Sequence, residues 1–581
     1  MTEKFYSNER NVQILISLMK AHNIKKVIAS PGTTNINVVE SLQHDPFFEI
    51  YSCVDERSAA YMACGMAAES QEPVALSCTG ATASRNYVPG LTEAFYRKLP
   101  VLAITSCQHL GNVGQMIPQV IDRSILMNDI AKLSVNIPTV NNKEDEWACN
   151  VAINKALLSL RHSNCGPVHI NIVTTYDQSF SQKNLPQARV ISRIEAHNVL
   201  PQLTPHRIGI FVGAHLKWEP KLVEAVEKFC ELYDAVVLCD HTSNYPGKYG
   251  VYPALVCSQY LATASCRKFD LLIHIGEISG AYFNLYPEKV WRVSNDGNIP
   301  DCFKKLTYVF DMKEEIFFQK YCSIVQSHRK FTDFYTEWVN EIETLRTRIP
   351  SLPFSNPWIA QQTISLLPKN SVLHLGILNS LRSWNFFEKD PSILGYANTG
   401  GFGIDGGMSS FVGASLVNKN KTFFMIIGDL AFFYDINILG NRHIKNNIRI
   451  MLINNGVGTE FKHFNHPAYI FGKRADAYIA AAGHFGAQSP SLVKHYAEDL
   501  GFLYLSAQNK NDFLRILPTF INDKSAPKPI LLEVFTNSED ESNALKLLSS
   551  IEKSPKGTMK STAKKLLGPQ GVQTLKKILT K

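Results

Sequence analysis

The stretch KTFFMIIGDLAFFYDINILGNRHIKNNIRIMLINNG, residues 421–456, decides how the rest of the chain is read. Residues 421–427 are a short apolar run rich in β-formers, which predicts a buried strand. Gly428 and Asp429 break it. Residues 435–446 place Ile436, Leu439 and Ile444 at near-helical spacing. Residues 448–453 are a second apolar run of strand length, ending on Asn454, Asn455 and Gly456. Strand, helix and strand make a βαβ unit, so two neighbouring parallel strands end in Asp429 and in the asparagine pair. Open α/β sheets bind ligands at the carboxyl ends of their strands. One carboxylate and one amide carbonyl are too few oxygens to hold Mg²⁺ alone. That ion takes about six oxygens at about 2.0–2.1 Å and completes its shell with water and phosphate oxygens. The pattern points to a Mg-diphosphate site. The alternative is an ordinary βα turn in which Asp429 caps a helix.

The same alternation runs through the chain. At 581 residues it is too long for one core and predicts three or four domains. In the first segment, residues 12–21 read as a helix and 27–29 as a short strand. That strand stops at a turn-rich loop, Ser30-Pro31-Gly32-Thr33-Thr34-Asn35. Residues 74–77, 101–105 and 169–173 are further strand candidates. A second segment offers 208–213, 235–240, 271–276 and 290–293, and a third opens with 372–375. Alternating strands and helices predict mostly parallel sheets covered by helices.

Composition narrows the classes. The chain is 45% hydrophobic and 19% charged, which is globular. Its net charge of +8 is carried by residues 553–581, which hold eight lysines and no acid; without them the basic and acidic residues balance. A neutral body argues against an extended nucleic-acid surface. The basic tail, residues 546–581, reads as a solvated segment; an amphipathic helix touching membrane, RNA or a partner is the alternative. The twelve cysteines form no C-x-x-C pair, so neither zinc nor a redox dithiol is expected, and a reduced, cytoplasmic setting is the simplest reading. The charged N-terminus predicts no signal peptide, and no apolar run approaches the ~18 residues of a membrane span.

Two further stretches carry chemistry. Val54-Asp55-Glu56-Arg57-Ser58-Ala59-Ala60 leads strand-like residues into an Ala/Gly-rich helix. Glu56 is either a catalytic acid there or a helix N-terminal acid complementing the macrodipole. Residues 397–407, ANTGGFGIDGG, let backbone approach a ligand closely. The central segment has no complete G-x-G-x-x-G, so a structural role is expected there rather than dinucleotide binding.

Gly428-Asp429, a spacer, then Asn454-Asn455 resembles the signature of thiamine diphosphate (ThDP) enzymes. With Leu430 after Asp429, and with the Glu56 stretch, it is most similar to the menaquinone-pathway branch, the 2-succinyl-5-enolpyruvyl-6-hydroxy-3-cyclohexene-1-carboxylate (SEPHCHC) synthases. The resemblance covers about residues 5–545 and implies an α/β fold of three doubly wound parallel-sheet domains. These are pyrimidine-binding (1–182), central (190–345) and diphosphate-binding (355–545). It implies ThDP and Mg²⁺ as cofactors, with Asp429, Asn455 and the Val457 carbonyl on the metal. Glu56 becomes the catalytic glutamate that hydrogen-bonds the aminopyrimidine ring. Asn379, Ser380, Gly403, Gly428, Leu430, Ala431 and Asn455 contact the cofactor, and Ile404 wedges beneath it. Residues 77–100 match a cofactor-facing loop. The family places each active site between two subunits, so a homodimer or a dimer of dimers is expected.

The substrate side departs from the branch, which binds carboxylate-rich substrates through arginines. Thr34, Gln108 and Thr399 stand where arginine is expected, and a fourth such position falls at Trp384. Gln119 matches a substrate-side glutamine. Glu460 and Lys462 replace apolar and aromatic residues. Arg85 and Arg382 are candidate relocated anchors, and Thr33 completes the candidate set. The expected reaction is decarboxylation of a 2-oxoacid followed by ligation to a carbonyl or alkene acceptor, with altered substrates. A non-ligating decarboxylase, an acetolactate-synthase-like carboligase and an inactive ThDP-fold scaffold are the alternatives.

Overall fold

The computed structural model describes residues 5–552 apart from 124, 177–178, 205, 261–263, 282, 325–332 and 523–525. The expectation for the tail falls on residues outside this set from 553 onward. The chain forms two compact units, Met1–Val199 with Asp296–Asp311, and Leu200–Asn295 with Met312–Lys581.

The first unit is built on a six-stranded parallel sheet. Its spatial order is Glu49–Ser52, Lys26–Ala29, Val74–Cys78, Val101–Cys107, Val168–Val173 and Leu133–Ile137. Central strands such as Val74–Cys78 and Val168–Val173 are buried throughout, as sheets covered on both faces require. One face packs on a cluster containing Val12, Leu15, Val27, Ile104 and Ile153; the other packs on Ala59, Ala63, Leu76 and Leu91. The edge strand Glu49–Ser52 is largely exposed, so no apolar run announces it. A short parallel pair, Leu306–Asp311 with Ser192–Glu195, belongs to the same unit.

The second unit contains the parallel strands Gly250–Val251, Val236–Leu238, Ile208–Val212, Lys268–Ile275 and Tyr286–Ser294, in that order. It also contains a six-stranded parallel sheet ordered Leu394–Tyr396, Val372–Leu375, Phe423–Gly428, Ile448–Asn454, Ile530–Phe535 and Leu503–Ala507. Phe423–Gly428 and Ile448–Asn454 are adjacent and in register, with Gly428 opposite Ile453. The parallel pairing expected from residues 421–456 is therefore present. The helix between them is not where its spacing placed it. It runs Asp429–Tyr434 and is followed by a 3₁₀ segment, Ile436–Gly440. Asp435 ends it, because its carboxylate is drawn to the Ser409 N–H and hydroxyl, each at 2.6 Å, and its backbone leaves helical geometry. Among the described residues no helix is long and apolar enough to cross a membrane.

Candidate active site

Asp429 lies at the carboxyl end of Phe423–Gly428 and is 6% exposed. Its Oδ1 accepts from the Leu430 N–H at 2.8 Å. Its Oδ2 accepts from the N–H groups of Asn455 and Gly456, at 3.2 and 2.6 Å. The two strand ends are thus tied together through one carboxylate. Among the described residues no lysine or arginine pairs with it. Burial pushes its carboxyl up to about 6, against the lowering effect of these N–H donors. The asparagine pair divides its work. Asn454 is buried and donates to Glu533 Oε1 at 2.6 Å, which anchors it to the neighbouring strand. Asn455 is half-buried, and its amide oxygen accepts only a long 3.4 Å contact from the Val457 N–H.

Across the strand end a narrow cleft is lined by Ile377, Gly403, Ile404, Ile427 and Ala431. The loops that frame it hold two non-glycine residues at positive φ, Leu378 at 64° and Phe402 at 53°. Such strain concentrates at ligand-binding loops. Gly400, Gly401 and Gly428 have open space where a Cβ would stand. Asn379 opens the helix Asn379–Trp384, and its amide oxygen contacts His463 Nε2 at 3.1 Å. Ser380 is buried and is bonded by Asn356 at 3.3 Å.

Behind this helix is Glu541, fully buried, a residue the motifs did not flag. Its Oε1 accepts from the Asn356 N–H and the Thr536 hydroxyl, while Oε2 has no partner. Burial pushes its carboxyl from 4.5 up to about 7. A carboxyl raised in the folded state stabilises fully below about pH 4.5, and this stabilisation is lost as pH rises through about 7. Glu541→Gln should remove that dependence, gaining about 3 kcal/mol relative to wild type by pH 8. Thermal midpoints of the two proteins from pH 5 to 8 check this; parallel curves would refute it.

Beside the cleft, still in the second unit, is a cavity of about 730 Å³. Phe283, Phe402, Phe464 and Tyr469 line it, together with the amides Asn284, Asn385 and Asn465. Arg382 also lines it, but is not a free anchor. It makes a two-point ion pair with Glu460, at 2.7 and 2.8 Å. Burial raises the Glu460 carboxyl, but the Arg382 hydrogen bonds and charge overcome this and hold it below its ordinary value. Two departures from the branch, Arg382 and Glu460, thus satisfy each other. Arg382→Met should lower stability by about 1 kcal/mol, solvent screening of the partly exposed pair included, and adding Glu460→Leu should restore it. A double-mutant cycle on thermal midpoints reads the coupling. Lys462 pairs with Asp476, and Thr399 is buried.

In the first unit, Asp55 caps the helix Glu56–Ser70 by accepting from the Arg57 and Ser58 N–H groups. This fixes Glu56 at the first helical position. Small residues on one face let the helix pack closely: a Cβ on Gly90 would stand 2.4 Å from that of Ala60. Glu56 is half-buried and accepts from Asn86 at 3.4 Å. Among the substrate candidates, Thr33 is exposed. Thr34 is not available: it is 7% exposed, and its hydroxyl is held by Thr79 at 2.6 Å and by the Ser106 carbonyl at 3.1 Å. Arg85 is exposed and donates to the Asp122 carbonyl. Gln108 and Gln119 line a common cavity of about 180 Å³. Arg123, buried in the same cavity, was not singled out by any motif.

The donors fit a magnesium-bound diphosphate. They are all oxygen, one is a buried carboxylate with no cationic partner, and the flanking glycines leave room for close backbone approach. Residues 10–126 match the family described as thiamine pyrophosphate enzyme, N-terminal TPP binding domain. The chain is 31% identical over 562 residues to the 2-succinyl-5-enolpyruvyl-6-hydroxy-3-cyclohexene-1-carboxylate synthase of Bacteroides thetaiotaomicron, covering 93% of this chain and 98% of that protein. The synthase of Phocaeicola vulgatus is likewise 31% identical, over 563 residues with 93% and 98% coverage. That of Bacteroides fragilis is 29% identical over 568 residues, with 93% and 98% coverage. With this likeness running nearly end to end, the chain belongs to the thiamine diphosphate-dependent enzymes, in the family of the SEPHCHC synthases.

Proposed function

We propose that the protein is a ThDP- and Mg²⁺-dependent enzyme that decarboxylates a 2-oxoacid and ligates the product to an acceptor, with substrates differing from those of the SEPHCHC synthases. The observation that carries the reading is the Asp429 carboxylate, buried without a cation and held by three backbone N–H groups where two parallel strands end. In this reading Asp429, Asn455 and the Val457 carbonyl hold the metal. Asn379, Ser380, Gly403, Gly428, Leu430 and Ala431 shape the diphosphate cradle, and Ile404 sets the cofactor's bend. When bound, thiamine diphosphate supplies the carbon nucleophile for the keto carbon and the sink for electrons left by carbon dioxide. Glu56 hydrogen-bonds the aminopyrimidine ring and manages its proton. Pyrimidine-binding, central and diphosphate-binding domains at 1–182, 190–345 and 355–545 complete the assignment.

Altered substrates are supported by the lost arginines and by the fate of Arg382. That guanidinium is spent on Glu460, and apart from His466 the remaining lining of the 730 Å³ cavity is aromatic, aliphatic, hydroxyl, thiol or neutral amide. A multiply charged substrate would leave carboxylates unpaired there, which is costly. A homodimer is supported by Val54, Tyr61 and Met62, which are 75%, 48% and 37% exposed before and along the helix that carries Glu56. The test is a 2-oxoacid panel scored for carbon dioxide, with products identified in the presence and absence of aldehyde or enoate acceptors. Carbon dioxide release with a new C–C bond supports ligation. Aldehyde alone, whatever acceptor is added, favours a simple decarboxylase. No turnover of any acid would overturn the enzyme reading.

A further inference from the structure

Arg123 is 4% exposed, and neither Nε nor Nη1 has a hydrogen-bond partner. Nη2 donates only weakly, to the Ser106 carbonyl at 3.4 Å. The groups that bear on its charge are the thiol of Cys107, which also hydrogen-bonds it, the thiol of Cys78 and the cationic Arg85; the exposed Asp122 lines the same cavity, but among the described residues no carboxylate makes an ion pair with it. A buried guanidinium in this state is costly unless something completes it. Its surroundings are shaped for that. It lines the 180 Å³ cavity with Gln108, Gln119 and Asn171, beside Cys107, where Val101–Cys107 ends. Ligands of parallel sheets collect at such strand ends. Gly80 preserves the space: a Cβ there would stand 3.3 Å from the Ser106 carbonyl, 3.4 Å from that of Gln119 and 3.6 Å from Nη2 of Arg123.

We infer that this cavity is a carboxylate site, in which Arg123, with the amide of Gln119, binds the carboxylate of a substrate; the Gln108 amide is engaged by Tyr176 at 2.8 Å and by Asn112 at 3.2 Å. It rests on the proposed function for the identity of the ligand as substrate. Arginine is the side chain suited to the task, because its planar guanidinium presents several donors to an oxyanion and stays charged. The cavity is smaller than those that enclose a whole drug-sized ligand, roughly 300–1,000 Å³, so it takes the acid end of a larger molecule or a short acid. The cationic anchor absent at positions 34 and 108 is thereby supplied from a third position. Arg123 is assigned to specificity, not to bond-making.

The test uses the full chain and three probes: pyruvate, propanoate and the uncharged ethyl pyruvate. Binding is followed by thermal shift and calorimetry, with and without Mg-ThDP, for wild type, Arg123→Gln and Arg123→Lys. Wild type should prefer the acids. Arg123→Gln should weaken acid binding by about 10- to 100-fold, leave the ester unchanged and leave Mg-ThDP binding unchanged, with Arg123→Lys in between. Its thermal midpoint without ligand should hold or rise, because an unpaired buried charge has gone. A lowered midpoint with the acid-over-ester preference intact would give Arg123 a purely structural role and overturn the inference, as would acid binding absent from wild type. Should Arg123→Gln fail to fold, Arg123→Lys carries the test, because it keeps the charge and loses the planar fork; acid affinity equal to wild type in that variant overturns the inference. Failure of wild type to bind Mg-ThDP would instead sink the proposed function, while the cofactor-free acid measurements still decide Arg123.

Discussion

Asp429→Ala is expected to abolish Mg²⁺-dependent binding of thiamine diphosphate, weakening it by more than about 100-fold in calorimetry, since even residues one shell out from a metal carry about 10–100-fold. The effect is large because the carboxylate serves twice. It is an anionic oxygen donor where Phe423–Gly428 and Ile448–Asn454 end, and it accepts the N–H groups of Leu430, Asn455 and Gly456. Alanine removes the charge and leaves three donors searching for water. Asp429→Asn largely separates the two roles: its single oxygen can still accept the Asn455 and Gly456 N–H groups, its NH2 gives up the bond from Leu430, and the charge is gone. If Asp429→Asn keeps wild-type thermal stability and still loses the cofactor, the charge is the cause. Mg-dependent binding that survives in both variants would refute the assignment.

Glu56→Ala is expected to bind Mg-ThDP normally and to lose about 10²- to 10⁴-fold in turnover, the range for removal of a positioned proton-transfer group. The helix should tolerate the change, because its N-terminal cap is Asp55 and its packing face is Ala59, Ala60, Ala63 and Ala67. Neither involves the Glu56 side chain. The homodimer proposed above makes subunit sharing testable. Equal mixing of inactive Glu56→Ala and Asp429→Ala chains should restore about a quarter of the wild-type rate, since half the dimers are mixed and each has one intact site of two. No recovery after verified exchange of subunits would place both residues in one subunit's site. A Glu56→Ala enzyme that turns over at the wild-type rate would remove Glu56 from the chemistry.

What could be read from residue order alone was local. Residues 372–375 form a strand with those bounds, and the runs around Asp429 and Asn455 form adjacent parallel strands. An apolar run flanked by glycine or asparagine carries its own strand signal, and a parallel neighbour follows from the intervening length. The family was legible for the same reason, since its motifs are short and contiguous. The helix expected over 435–446 failed because apolar spacing is blind to Asp435, whose carboxylate is taken by Ser409, 26 residues away. The edge strand Glu49–Ser52 has too little burial to leave an apolar pattern, and the central Ile530–Phe535 carries Glu533 in its middle, paired with Asn454 and Tyr504.

The state of each charged or polar group was decided only by the tertiary structure. Thr34 follows exposed Thr33 by one residue, yet it is turned inward to Thr79 and Ser106. Arg382 looks like a relocated anchor until Glu460, 78 residues on, closes over its guanidinium. Arg123 looks like any arginine in a loop until burial leaves it unpaired, and Glu541 looks like a surface helix acid until it is found fully enclosed. Backbone preference is set within a few residues, whereas whether a charge is solvated, paired or stranded depends on groups brought together from distant parts of the chain.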